Sequence, residues 1–299
     1  MAAASDAPVP PLAFAPGEQQ VLVGSQAGLA VYTWLELELE LTTKLRHIHD
    51  LSFAPTGDFF AAADGRPGQK GTVEVFHWPG GELVYRVSPH ADLVYGVAWS
   101  PDAKFWTSAS YDRAVEVRDS RNGQRVREIR GHSHPVLAAC YTSDGGLLIT
   151  AGADQSLRVW NAQRGGKVRV LENHTGAVLD LAARPRSPSE ELPMVASVSE
   201  DRTLRFWQPT VGRLVRFARL EAKPLAVVWT ADGKYAAIAC NDGHVRVVDP
   251  ETADVVADLP AVDGWAHALA ASAKDEFLVG GARGQLTRIR LKGRSKRNL

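Results

Sequence analysis

Apolar runs of five or six residues alternate with turns along most of the chain. The stretch from Gly131 to Asn161 shows the unit in its fullest form: GHSHPVLAACYTSDGGLLITAGADQSLRVWN. It runs through VLAACY, turns at Ser143-Asp144-Gly145-Gly146, continues as LLITAG, turns again at Asp154 and closes on SLRVW with Trp160. The runs have strand length, are rich in β-branched and aromatic residues, and are bounded by turn formers, which predicts strands joined by hairpins. The rest of the chain repeats this unit with varying fidelity. Aligned on the residue that ends the first run, the copies fall at Phe14, Phe53, Trp99, Tyr141, Ala183, Trp229 and Ala271, with gaps of 39, 46, 42, 42, 46 and 42 residues.

Seven copies at this period, with four strands in each, predict an all-β fold, a seven-bladed β-propeller of four-stranded antiparallel blades. The blades are expected to begin near residues 10, 49, 94, 136, 178, 225 and 266 of a single domain spanning 1–299, with a basic tail at 293–299. Outer strands carry charge on one face, as in QRVREIR, and charge on a sheet edge discourages pairing with another chain. LELELEL (35–41) has a period of two, Glu36, Glu38 and Glu40 alternating with Leu37, Leu39 and Leu41, and reads as an edge strand. The last blade runs out after LTRIRLKG, so its fourth strand must come from elsewhere. The expected donor is the N-terminal segment Ala2 to Val9, although it is poor in strand formers, and the alternative is closure by the C-terminal tail.

Composition narrows the function classes. The 299 residues suit one closed all-β domain, and 45% hydrophobic with 23% charged content describes a chain able to bury a large core. Lys+Arg and Asp+Glu balance at 34 each, so no overall field draws the protein to nucleic acid or an anionic membrane. No apolar run approaches the roughly 20 residues of a membrane-spanning helix, and the N-terminus lacks the basic start and apolar stretch of a signal peptide. Cys140 and Cys240 sit in different repeats and read as structural thiols, which suits a cytoplasmic setting. Phosphate-loop, HExxH and CxxC motifs are absent, and no cofactor is expected. The inserts DGRPGQKG (64–71) and RPRSPSEELP (184–193) read as solvated loops.

The Gly131-His132 opening, the Ser-Pro-Asp and Ser-Asp-Gly turns and the Val159-Trp160-Asn161 close resemble the WD40 repeat, and the resemblance extends from about Pro11 to Lys292. It implies a hydrogen-bonded chain of His, Ser/Thr, Asp and Trp within a blade. Two blades match that pattern throughout: His132, Thr150, Asp154 and Trp160 in blade four, and His174, Ser197, Asp201 and Trp207 in blade five. Blade three keeps His90, Ser108 and Asp112 but has Arg118 in place of Trp, and blade six keeps only Asp242. The other blades have Tyr32, Phe76 and Ile289 at the Trp position. Recurrence of Ser/Thr, His and Asp in three blades argues for a structural network and against a catalytic triad, which would occur once and in a cleft.

The resemblance further implies that partners bind where the first strands begin, around the central channel. The corresponding positions lie six and four residues before each anchor and just before the turn Asp. They are Pro8 and Pro10; His47 and His49; Leu93, Tyr95 and Tyr111; Pro135, Leu137 and Ala153; Ala177, Leu179 and Glu200; Lys223, Leu225 and Asn241; Trp265, His267 and Arg283. Blades seven, two and three concentrate aromatic and basic residues: His47, His49, Tyr95, Tyr111, Trp265, His267 and Arg283. Trp, Tyr and Arg are enriched at binding hot spots. The expected function is a non-catalytic protein–protein interaction scaffold, a monomer that binds a protein or peptide. The alternative is a metal-binding or enzymatic propeller using His47, His49 and His267, with His47 and His49 alternating on one strand and facing the same way. Nucleic-acid binding rests only on the tail and on Arg202, Arg205, Arg213, Arg216 and Arg219, read as a solvated outer face. Deletion of residues 1–9 is expected to lower the melting temperature if the N-terminus closes the ring; an unchanged value would count against that closure.

Overall fold

The computed structural model describes residues 11–42, 47–185, 192–274 and 276–291. Those residues form seven antiparallel sheets whose strands follow one another in chain order, without crossovers. Six sheets have four strands. The seventh has three among the described residues, so closure by Ala2 to Val9 or by the tail at 293–299 lies outside them, as do Pro8 and Pro10. The inner strands are Leu12–Phe14, Ile48–Phe53, Val94–Trp99, Val136–Tyr141, Val178–Ala183, Pro224–Trp229 and Ala266–Ala271. Each packs beside the next, and the last meets the first, closing the ring. No helix occurs among the described residues, and so none is long and apolar enough to cross a membrane.

The anchor alignment holds residue by residue. Phe14 pairs with Val21, Phe53 with Phe60, Trp99 with Trp106, Tyr141 with Leu148, Ala183 with Val195, Trp229 with Ala236 and Ala271 with Phe277. Burial is organised between blades. One apolar cluster joins Leu204 and Phe206 of blade five to Trp229 and Ile238 of blade six. Another joins Ile149 and Leu157 to Val178 and Trp207 of the next blade, and a third joins Leu22 and Val31 to Phe60 and Phe76. Middle strands are buried on both faces and therefore read as continuous apolar runs, such as FFAAAD and LLITAG. At the closing seam Leu278 packs with Val21, Tyr32 and Trp34, and the Arg288 guanidinium lies over the Trp34 ring, 5.6 Å from its centroid.

In blade four the Trp160 indole N–H donates to Thr150 Oγ1 at 2.9 Å. The Thr150 hydroxyl meets His132 Nε2 at 2.8 Å, and Nδ1 meets Asp154 at 2.9 Å. Blade five has the same chain through Trp207, Ser197, His174 and Asp201, each link at 2.8 Å. The directions are forced: indole donates only, so the hydroxyl accepts from it and donates to Nε2, leaving Nδ1–H for the carboxylate. In blade three His90 meets Ser108 at 2.8 Å and Asp112 at 3.1 Å, while Arg118 turns to Glu116 and to the Gly123 carbonyl. Burial by itself would raise Asp201, but hydrogen bonds from Thr203, His174 and the Thr175 backbone outweigh it and bring its carboxyl to about 2.

Two local expectations change. LELELEL does not alternate throughout: residues 33–38 form a turn, Leu37 adopts φ 53° and packs on blade one, and Leu39 is exposed. Arg205 is not on an outer strand; it lies on Thr203–Gln208, reaches Asp201 at 3.6 Å and covers the Phe217 ring. Arg158 and Arg246 hold the matching place in blades four and six, and Arg246 grips Asp242 with both terminal nitrogens, at 3.1 and 2.7 Å, where histidine is missing. The sequence pattern leaves this arginine out because it alternates with apolar residues like any edge charge. Thr150→Val should cost about 1–3 kcal/mol, because the Trp160 N–H and His132 Nε2 lose their buried partner together; urea denaturation measures it, and the unchanged neighbouring blades should keep the transition single.

Candidate binding site at the channel mouth

The inner strands share one irregularity. In blades two to seven the register slips at the residue four before the anchor, so His49, Tyr95, Leu137, Leu179, Leu225 and His267 each occupy a β-bulge. A bulge leaves its residue out of the ladder and re-aims the side chain. All six of these residues line a central channel of about 760 Å³. His47 does not alternate with His49 on a strand as the sequence suggests. The strand starts at Ile48, and His47 precedes it at φ 58°, with its Nε2 at 2.5 Å from Arg66.

The expected site residues are only partly gathered. His49, Tyr95, Tyr111 and His267 line the channel, whereas His47, Trp265 and Arg283 stand outside its lining. His49, Tyr95 and Tyr111 form a ladder of rings across blades two and three, with centroid separations of 5.7 and 5.8 Å. Trp265 packs on His267 at 5.5 Å and is itself 51% exposed. Leu93 is buried beneath this rim instead of facing a partner, and Leu137 is nearly so. Burial lowers the His267 pKa, which keeps its imidazole neutral and able to accept a hydrogen bond. The insert at 64–71 is exposed at residues 66–70 yet tied down: the Gly65 carbonyl meets His49 Nε2 at 2.9 Å and the Gly68 N–H donates to Asp92 at 2.9 Å. Across the channel lie Leu137, Leu179 and Leu225, with Lys223 paired to Glu200 at 2.5 Å. Among the described residues no three of His, Cys, Asp and Glu stand together as a metal site requires, so His47, His49 and His267 are not assembled as ligands.

Two further channel residues escape the sequence reading. One position below the bulge, blades one, three, four, six and seven carry Pro11, Gly96, Ala138, Ala226 and Ala268, while blades two and five carry Asp50 and Asp180. Asp50 accepts the Leu51 N–H at 2.9 Å and, from the next blade, the Val97 N–H at 2.7 Å. Asp180 does the same with Leu181 at 2.8 Å and Val227 at 2.9 Å. At both seams the following anchor is Trp, and its indole reaches back, Trp99 to the Ser52 carbonyl and Trp229 to the Ala182 carbonyl, each at 3.0 Å. The signal was present in the alignment: a charged residue recurs at an inward position that is otherwise small. Burial lifts Asp50 to about 7, against the hydrogen bond from Val97 and with the Asp180 charge adding to the rise, and burial lifts Asp180 to about 6.

A carboxyl whose folded pKa is raised contributes most stability below its unfolded value, near 4, and loses that contribution as pH climbs through the folded value. Stability should therefore fall between pH about 4 and about 6 in part through Asp180, and Asp180→Asn should flatten that interval. Urea midpoints across the range test it, an unchanged slope being the contrary result.

The family model for the WD domain, G-beta repeat, matches residues 81–119, 123–161 and 165–208. Each match takes the outer strand of one blade with three strands of the next, so the sequence repeat straddles a seam. The three matches end in blades three, four and five, the ones that carry the histidine networks. Coronin-7 of Rattus norvegicus is 36% identical over 72 residues, covering 24% of this chain and 7% of that protein. Coronin-7 of Mus musculus is 35% identical over 60 residues, 20% of this chain and 6% of that protein. The chain thus spans a small fraction of the length of these relatives. Three adjacent blades thus carry matched WD40 repeats, and with the same strand order carried round a closed ring of seven, the fold is a seven-bladed β-propeller of WD40 type.

Proposed function

We propose that the protein is a non-catalytic interaction scaffold, monomeric and cytoplasmic, which receives a protein or peptide at the channel mouth on the aromatic sector of blades seven, two and three. WD40 propellers generally bind protein partners, and the fold alone would not locate the contact. The observation that carries the reading is the exposure of Trp265, Tyr95 and Tyr111, at 51%, 39% and 38%, on bulges and turns fixed by the rigid inner ring. Large aromatics held half out of a stiff framework offer contact area at little entropic cost. Arg283 on the same rim and His49, held by its bond to Gly65, supply polar contacts. The cytoplasmic assignment is supported by Cys140 and Cys240, both unpaired thiols within strands.

Tyr95→Ala and Trp265→Ala should each weaken partner capture roughly tenfold or more, the usual scale of a hot-spot truncation of about 1.4–2 kcal/mol. Pull-down followed by mass spectrometry reads the loss. Unchanged recovery by both variants, with the wild-type melting temperature retained, would remove the aromatic sector from consideration.

A further inference from the structure

Resting on that reading of the mouth, we propose that the channel receives an arginine side chain from a partner peptide, its guanidinium stacked on the His49–Tyr95–Tyr111 ladder and directed at Asp50 and Asp180. The chemistry of the lining leads there. The channel is rich in acceptors and poor in donors of positive charge. Its one lysine, Lys223, is engaged by Glu200 at 2.5 Å, so it leaves the two deeper carboxylates without a cation. Those carboxylates do not pair with any basic side chain among the described residues; backbone N–H groups of Leu51, Val97, Leu181 and Val227 hold them. Each carboxylate has about four lone-pair sites, so two N–H bonds leave capacity facing the channel. The neutral His267 ring adds an acceptor nitrogen above them.

Charge and shape agree. Asp50 and Asp180 sit on blades two and five, on opposite sides of the ring, at a level where every other blade presents proline, glycine or alanine. Small residues keep the channel open at that depth, and its volume of about 760 Å³ falls in the range of small-molecule sites. Above it the ring ladder is exposed on one side, and a planar, weakly hydrated cation stacks on such faces while its fork of N–H groups meets carboxylates. An ammonium is a more strongly hydrated point charge and makes less use of stacked planes. The titratable groups that share the channel with Asp50 and Asp180 are His49, Tyr95, Tyr111, Glu200, Lys223 and His267. Acidification protonates the Asp50 and Asp180 carboxylates and so removes their attraction for a cation.

The test is calorimetric titration of the intact chain with a capped pentapeptide, Gly-Ala-Arg-Ala-Gly, and with its citrulline and lysine counterparts. The arginine peptide should bind at least about tenfold more tightly than the citrulline peptide, a factor equal to about 1.4 kcal/mol. It should also bind more tightly than the lysine peptide and weaken as pH falls from 7.5 to 5.5. Tyr111→Ala should reduce binding severalfold, and Asp180→Asn should reduce the preference for arginine over citrulline. The Asp180 variant loses a seam acceptor, so Tyr111→Ala and the citrulline comparison keep the test decisive if that variant fails to fold. Equal affinity for arginine and citrulline peptides, no detectable binding of the arginine peptide, or lysine binding as tight as arginine would overturn the assignment. If the peptide arms fail while partner capture still depends on Tyr95 and Trp265, this inference falls and the interaction surface stands.

Discussion

No blade of this protein has a core of its own. Every apolar cluster lies between two neighbouring blades, and a sheet with two apolar faces is stable only when both are covered. The ring is the solution: seven sheets, each wedged between two others, with the last cluster joining Leu278 to Val21 and Trp34. Loss of one wedge would expose faces on two blades at once. That mutual dependence is why sequence repeats that straddle the seams suit the fold, since each repeat supplies strands to both sides of a joint.

Polar contacts reinforce this packing unevenly, and their placement explains the differing fidelity of the repeats. Blades four and five use the full histidine chain, and blade three uses part of it. Blade six substitutes the Arg246–Asp242 fork. Blade two replaces the network with rings, Phe53, Phe60, Phe76 and Trp78 packed edge and face. Two seams carry an additional pair of bonds, an inner-strand aspartate accepting a backbone N–H and a tryptophan returning one to a carbonyl. These bonds cross from blade to blade, whereas the histidine chains stay within one. Stability within a blade and registration between blades are thus supplied by different residues.

The channel mouth follows from the same framework. Inner strands are held on both sides, so the bulge in each projects a side chain from a fixed backbone. The aromatic ladder of His49, Tyr95 and Tyr111 draws one residue from blade two and two from blade three, and Trp265 with His267 comes from blade seven. Nothing local joins these residues. Their proximity is a property of a closed ring in which the seventh blade, the first and the second are neighbours.

The amino-acid order alone determined the number of blades and the strand order, because period-two and double-faced apolar runs leave one way to bury themselves and the anchors mark each copy. Its resemblance to the WD40 repeat also pointed to His132, Thr150, Asp154 and Trp160, whose spacing within a blade is fixed by hairpin geometry. Channel chemistry was less legible. His47 and His49 look equivalent in the sequence, yet a left-handed backbone at His47 and a bulge at His49 separate them. Asp50 and Asp180 are 130 residues apart in the chain and acquire a common role only where opposite blades face one channel. Hairpin pairing is local and therefore written in short stretches of sequence; which side chains meet across the axis depends on the curvature of the whole ring, and that is decided only when all the seams have formed.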